Sequence, residues 1–274
     1  PVFVASWVVI GLGMGAGLYD PAFSALGRLY GQEARPAITQ VTLFGGFAST
    51  VCWPLTALFA DHLGWRGACL TYAAIHLALV LPLYLFGLPR EAPRLPAPKV
   101  VGMQATGGVR TDQRFAFILL AAGFTLASVI MTVIVVHLLA LLQTQGLTLA
   151  AAVAFGALIG PSQVGGRILE MVFGRRVHPI WTLIPSTALV AIGILVLIGA
   201  SEIAVAGIIL YGMGSGIRSI ARGTVPLAMF GREGYAILMG RLALPTLLAT
   251  AVAPMVGTWL LEWAGPGGTL LFLF

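Results

Sequence analysis

The stretch GMGAG (residues 13–17), which opens GMGAGLYDPAF (residues 13–23), returns almost two hundred residues later as GMGSG (residues 212–216). Because glycine is common, one such match carries little weight, but several in the same order are hard to attribute to chance. Further landmarks keep an offset of 200: YGQE (30–33) with FGRE (230–233), Pro54 with Pro254, and the turns ending at Gly67 and Gly267. The sequence therefore predicts a unit of about 200 residues that occurs twice.

The composition indicates that both copies lie in a membrane. Hydrophobic residues make up 59% of the 274 residues and charged residues only 9%, against roughly 25% charged residues in soluble domains. Gly11, Gly13 and Ala16 also fit the dinucleotide pattern G-x-G-x-x-G/A, which requires a preceding strand in a βαβ unit. Here the pattern lies inside an apolar run, so the chain is predicted to be an all-α integral membrane protein without a nucleotide cofactor.

Apolar stretches separated by charges and by Pro/Gly turns predict nine membrane spans. They fall at about 2–28, 37–60, 66–88, 114–142, 147–172, 179–199, 203–229, 235–261 and 265–274. A span needs about 20 apolar residues, and the ninth stretch stops at roughly half that length. The chain is therefore expected to be a fragment, with its last helix truncated.

Lysines and arginines set the expected orientation, because cytoplasmic connections carry more of them. They gather in every second connection: Arg28 and Arg35, the Pro- and Gly-rich linker 89–113, Arg175 and Arg176, and Arg232. The linker is thus expected to be cytoplasmic. The protein is expected to be a multi-pass protein of the cell membrane, and this membrane is expected to be a bacterial inner membrane. This bias also accounts for the net charge of +6. Without a basic patch interleaved with aromatic residues, nucleic-acid binding is not expected.

Six spans per repeat suggest two six-helix halves, and on this basis the chain resembles the major facilitator superfamily (MFS) of transporters. The resemblance rests on the glycine-rich first span, the GWRGA turn (64–68) and GRILEMVFGRR (166–176), which is similar to the loop signature G-x-L-x-D-R-x-G-R-R. It implies that the chain runs from the fourth to part of the twelfth helix, with three helices absent before Pro1. Residues 1–88 would then complete the N-terminal half, and residues 114–274 would form the C-terminal half.

Ionisable side chains at membrane depth are costly and indicate a transport pathway. Arg218 and Arg222 lie four residues apart in the seventh span, so they share one helix face. A guanidinium suits a carboxylate or phosphate, which makes both arginines candidate contacts for an anionic substrate. The alternative is a structural ion pair of Arg218 with a buried acid such as Asp20.

Other membrane residues are candidates for coupling and gating. Asp20 lies near mid-membrane, where a low dielectric favours the protonated carboxyl, so it is a candidate proton carrier or else a structural partner. His137 is a candidate proton relay. Arg167 and Glu170 are predicted to form a cytoplasmic gate pair, and Arg241 to be a gate or snorkelling residue. Gln163 and Arg167 also have the spacing of an acid–arginine pair in the monocarboxylate-carrier branch, with Gln in place of the acid.

Several functions remain open from the sequence. The favoured one is a secondary active transporter of a small organic anion that works by alternating access, with coupling to protons. A proton-driven drug-efflux antiporter is an alternative, although FGGFASTVCWPLTAL lacks the drug-antiporter signature G-P-x-x-G-G. A non-transporting membrane scaffold or receptor is another. No H-E-x-x-H, Cys/His cluster or G-x-S-x-G occurs, so neither an enzyme nor a metal site is predicted, and the protein is expected to act as a monomer.

Overall fold

The computed structural model describes residues 2–87, 113–174, 177–199, 203–231 and 234–274, and these residues are helical wherever their secondary structure is regular. The all-α prediction is confirmed. The predicted linker lies outside the described residues except for Gln113. The described residues form the α-helices α1 (Val2–Gly17), α2 (Tyr19–Tyr30), α3 (Ala34–Ile75), α4 (Leu81–Gly87), α5 (Arg114–Thr144), α6 (Leu149–Ala157), α7 (Ile159–Phe173), α8 (Leu183–Ile198), α9 (Ala204–Phe230) and α10 (Tyr235–Leu273).

Within the described residues, seven helical segments are long and apolar enough to cross a membrane. They are Phe3–Tyr30, Leu58–Gly87, Arg114–Thr144, Leu149–Phe173, Pro179–Ile198, Ala204–Phe230 and Tyr235–Leu273. These segments correspond to the first and to the third through eighth predicted spans. The predicted second span lies inside α3, and the ninth continues α10 beyond Gly265.

The chain divides into two compact units, Pro1–Phe47 with Gly107–Phe274, and Ala48–Thr106. In the second unit, Gly64 has φ 67° and ψ 171°, which turns the chain between two helical segments of α3. A positive φ is readily adopted only by glycine, so the predicted turn at GWRG is confirmed. The hydroxyls of Thr56 and Tyr72 lie 2.7 Å apart and join the segments on either side of the turn.

Two helix breaks in the first unit follow from prolines. Proline lacks the N–H that would donate to the carbonyl four residues earlier, and its ring clashes with that carbonyl. The backbone is accordingly extended at Leu18, three residues before Pro21, and the break between α6 and α7 falls at Leu158, three residues before Pro161. Both prolines therefore interrupt their spans, and the first break places Asp20 in the opening turn of α2. Prolines do not always have this effect here, because Pro226, Pro245 and Pro254 lie inside helices that continue past them.

Helix α9 is the centre of the first unit because its glycines allow close backbone contacts. A Cβ at Gly216 would overlap the carbonyl oxygen of Gln163 on α7, and a Cβ at Gly214 would lie 2.6 Å from the carbonyl oxygen of Ser186 on α8. In the first copy of the repeat, a Cβ at Gly13 or Gly15 would meet no described atom within 4 Å. The glycines recur in both copies, but only the α9 copy has packing partners in the described structure.

Apolar packing then fixes α2 and α10 beside α9. Phe23, Val225 and Tyr235 belong to one buried cluster that also includes the start of α3. The hydroxyl of Tyr235 donates to the Gly223 carbonyl at 2.7 Å, which satisfies that polar group inside the cluster. This cluster lies next to Asp20 and Arg222 along their helices, so it holds the two charged residues at a fixed separation.

Candidate functional site

The polar face of α9 carries the candidate anion contacts. Tyr211, Ser215, Arg218 and Arg222 follow one another at intervals of four, three and four residues, so they form a single stripe along the helix. Tyr211 is buried, and its hydroxyl lies 3.4 Å from the Met131 carbonyl of α5. The stripe begins against α5 and ends at the ion pair of Arg222.

Arg222 binds Asp20 across 202 positions of sequence. Its Nε donates to Oδ1 at 3.1 Å and its Nη2 to Oδ2 at 2.8 Å, which is the bidentate geometry that guanidinium and carboxylate prefer. Asp20 also occupies the first turn of α2, where the helix dipole favours a negative charge. Asp20, which the sequence suggests as a partner for Arg218, is therefore the partner of Arg222. The guanidinium of Arg222 is thus already bound to a carboxylate.

Arg218 has no such partner. It is half-buried, and its Nη2 is buried without a hydrogen-bond partner among the described residues. Leaving a buried donor unsatisfied costs about 1–3 kcal/mol, and more for a charged group. A cation that carries this cost and keeps part of its side chain exposed is suited to binding an anion that enters from outside the protein.

Arg167 is enclosed by neutral groups. It is 4% exposed, its Nε donates to Ser219 Oγ at 2.9 Å, and its Nη2 lies 3.4 Å from Gln163 Oε1. Its Nη1 packs against Gly46 of α3 and has no hydrogen-bond partner in the described part of the chain. The sequence pairs Arg167 with Glu170, whereas in the structure these two residues have different partners.

Glu170 binds Arg35, which sequence reasoning placed only among the cytoplasmic basic residues. Nη2 of Arg35 donates to Glu170 Oε1 at 2.9 Å and to the Gly174 carbonyl at 2.6 Å, and Nη1 donates to the Val177 carbonyl at 2.8 Å. A buried acid needs a cation with good geometry, and Arg35 in the first turn of α3 is positioned to supply it. Because an acid at membrane depth such as Glu170 needs a cationic partner, the sequence could have suggested a search for a nearby arginine, and Arg35 would have been a candidate.

His137 and Arg241 lie apart from these pairs. A ring nitrogen of His137 is 3.2 Å from the Pro254 carbonyl oxygen, and the ring packs on Gly257 between α5 and α10. Arg241 is exposed on the second turn of α10. The relay role of His137 and the gate roles of Arg167, Glu170 and Arg241 stay predictions. Among the described residues, no group of three His, Cys, Asp or Glu side chains could hold a metal ion.

Comparison with known proteins identifies the family. Residues 1–217 match the Major Facilitator Superfamily, a range that ends just before Arg218. The chain is also 31% identical over 171 residues to human monocarboxylate transporter 11, in an alignment that covers 58% of the chain and 35% of that relative. The chain thus spans about a third of that relative's length. With seven candidate spans among its described residues it is a multi-pass membrane protein, and it belongs to the Major Facilitator Superfamily.

Proposed function

We propose that the protein is a secondary active transporter that moves a small organic anion by alternating access, with Arg218 as the counter-charge for the anion. Membership of the Major Facilitator Superfamily supports transport in general. The observation that carries the anion proposal is the unsatisfied Nη2 of the half-buried Arg218. No carboxylate pairs with Arg218 in the described structure, whereas Arg222 and Arg35 each have one.

The substrate class that fits best is a monocarboxylate. A guanidinium binds a carboxylate through charge-assisted hydrogen bonds, and one relative is named a monocarboxylate transporter. A cationic drug would be repelled by Arg218, which disfavours the efflux alternative. A scaffold or receptor would have no use for a costly unpaired cation at membrane depth.

The test is uptake by the full-length protein in proteoliposomes. Radiolabelled acetate, butyrate and benzoate are compared with a cationic dye and a neutral sugar, with and without an imposed proton gradient. Saturable uptake of at least one carboxylate, and none of the dye, is the expected result. Transport of only the dye would overturn the proposal in favour of drug efflux, and the absence of any transport would favour a scaffold.

Asp20 is proposed to couple transport to protons. Protonation would remove the negative partner of Arg222 and leave that guanidinium without a carboxylate. Arg222 lies one helical turn from Arg218 on the same face, so it would then add to the positive potential at the anion site. A proton on Asp20 and an anion at Arg218 would therefore favour each other's binding, which corresponds to symport.

Asp20→Asn is expected to separate anion movement from the proton gradient. The amide cannot exchange a proton, so an inward proton gradient should no longer accelerate uptake, whereas exchange of anion for anion should continue. The measurement is initial uptake at several imposed gradients. Asp61→Asn, at an exposed carboxylate of the second unit, is the control and should keep the full response. A gradient response that survives in Asp20→Asn would contradict the coupling role.

Arg35 and Glu170 are proposed to hold the cytoplasmic gate closed, on the side that the basic connections predict. Glu170→Gln keeps the size of the side chain but removes the charge, and hydrogen bonds to charged groups are worth about 1.5–3 kcal/mol. We expect about a tenfold shift towards the inward-open state, measured by labelling of a cysteine introduced on the cytoplasmic side. The exchanged pair Arg35→Glu with Glu170→Arg should restore part of the closure. Labelling of Glu170→Gln at the wild-type rate would exclude a latch here.

A further inference from the structure

We infer that Ser215 is a second hydrogen-bond donor to the substrate carboxylate, one turn from Arg218. This inference rests on the proposed function and assigns a further residue to the same site. In a membrane a hydroxyl normally donates to a carbonyl three or four residues earlier in its own helix. Thr224, Thr246 and Ser219 donate in this way, to Ile220, Leu242 and Gly216.

Ser215 does not follow this rule. The residue is 2% exposed, and its Oγ makes no hydrogen bond of full geometry among the described residues, although the Tyr211 hydroxyl, from the preceding turn of α9, lies close to it. The neighbouring buried serine on α8, Ser186, shows the usual behaviour, because its hydroxyl donates to the Gly214 carbonyl at 2.9 Å. Ser215 Oγ is thus one of the few buried polar atoms without a partner in the described structure, with Thr125 Oγ1, Gln145 Oε1, Arg167 Nη1 and Arg218 Nη2. Such an atom calls for an explanation, and a partner that the described residues do not supply is one.

The position of Ser215 relates that partner to Arg218. Residues three apart on a helix have Cβ atoms about 5–6 Å apart. Helical side chains also lean towards the helix N-terminus, so the long Arg218 side chain runs back over the turn that carries Ser215. The two unsatisfied groups, Oγ of Ser215 and Nη2 of Arg218, therefore lie on the same face of α9.

A carboxylate satisfies both groups at once. One carboxylate oxygen accepts from Arg218 Nη2, and the other accepts the hydroxyl hydrogen of Ser215. A chloride ion can accept from both donors only where they converge on one point, whereas the two oxygens of a carboxylate lie apart and can serve one donor each. The arrangement therefore selects carboxylates over halides, and Ser215 acts as a binding residue for the substrate rather than as a packing residue alone.

The experiment measures KM and Vmax for radiolabelled butyrate in proteoliposomes of the full-length protein. Ser215→Ala should raise KM about tenfold or more, because it removes a hydrogen bond to a charged group, and chloride should become a better competitor. Ser215→Thr retains a hydroxyl and should keep KM closer to the wild-type value. Ser186→Ala is the matched control, a buried serine whose hydroxyl is used within the protein, and it should leave KM unchanged.

The outcomes separate this inference from the proposed function. A wild-type KM and chloride sensitivity in Ser215→Ala, together with loss of uptake in Arg218→Gln, would overturn the role of Ser215 and leave the anion transporter intact. Normal butyrate kinetics in both Ser215→Ala and Arg218→Gln would overturn the role of Ser215 and the proposed anion site together. Equal increases in KM in Ser215→Ala and Ser186→Ala would show a general packing effect and would also overturn the inference.

Discussion

Arg218→Gln is expected to abolish saturable uptake of organic anions by the full-length protein. Glutamine keeps hydrogen-bonding capacity but removes the positive charge, so an anion would have to enter a half-buried site without a counter-charge. Truncating one partner of a desolvated charge pair costs about 2–5 kcal/mol, which corresponds to a loss of roughly 30-fold to more than 1,000-fold in affinity. Uptake of a labelled carboxylate at a concentration near the wild-type KM measures this loss.

Arg218→Lys should fall between the wild type and Arg218→Gln. Lysine keeps the charge but presents a point charge instead of a planar fork, so we expect weakened but saturable uptake. Arg66→Gln is the control, because Arg66 is exposed in the second unit and lies over the Trp65 ring at 4.7 Å. Wild-type uptake of every carboxylate by Arg218→Gln, at an equal amount of protein in the membrane, would rule out Arg218 as the counter-charge.

The repeat explains why the helical architecture could be predicted from sequence. Glycines that allow close helix packing recur at an offset of 199, and prolines mark the breaks at Leu18 and Leu158 because a missing N–H acts locally. Such features depend on neighbouring residues along the chain. The breaks at Leu18 and Leu158 can therefore be anticipated without knowledge of distant contacts, whereas the packing of glycines in α9 and not in α1 depends on such contacts.

The charge pairs could not be predicted in the same way. Asp20 lies 202 positions from Arg222, and Glu170 lies 135 positions from Arg35. Arg218 and Arg222 are equally plausible partners for Asp20 in the sequence, because both lie on the same helix face. Which of them meets Asp20 depends on the axial position of α2 against α9, and this position is set by contacts such as Phe23 with Gly223.

The repeat also shows where the two copies differ chemically. At the offset of 199, Ser215, Arg218 and Arg222 correspond to Ala16, Tyr19 and Phe23. The glycines are duplicated, whereas the polar stripe of α9 is not. Within the part of the repeat that the chain contains, we therefore expect recognition of the anion to depend on α9, while the glycines serve packing.

Gly216→Ala is expected to be the most damaging single-methyl change in the first unit. The added Cβ would overlap the Gln163 carbonyl, and Gly166 makes the reciprocal contact with the Met213 carbonyl, so α7 and α9 touch backbone to backbone. Overpacking costs about 1–3 kcal/mol where side chains can adjust, and a backbone carbonyl adjusts least. We therefore expect destabilisation at the upper end of this range, which corresponds to a fall of about 5–10 °C in melting temperature. Uptake should also fall, because α7 carries Arg167 and Glu170.

Gly240→Ala is the matched control for this substitution. Gly240 lies inside α10, and a Cβ there would meet no described atom within 4 Å. Alanine is about 1 kcal/mol more favourable than glycine within a helix, so this variant should be as stable as the wild type or slightly more stable. Thermal unfolding of the two purified variants in the same detergent compares them directly. Equal melting temperatures would show that α7 and α9 can move apart without loss of stability. The backbone contact would then be excluded as the feature that holds Arg167 and Glu170 beside α9.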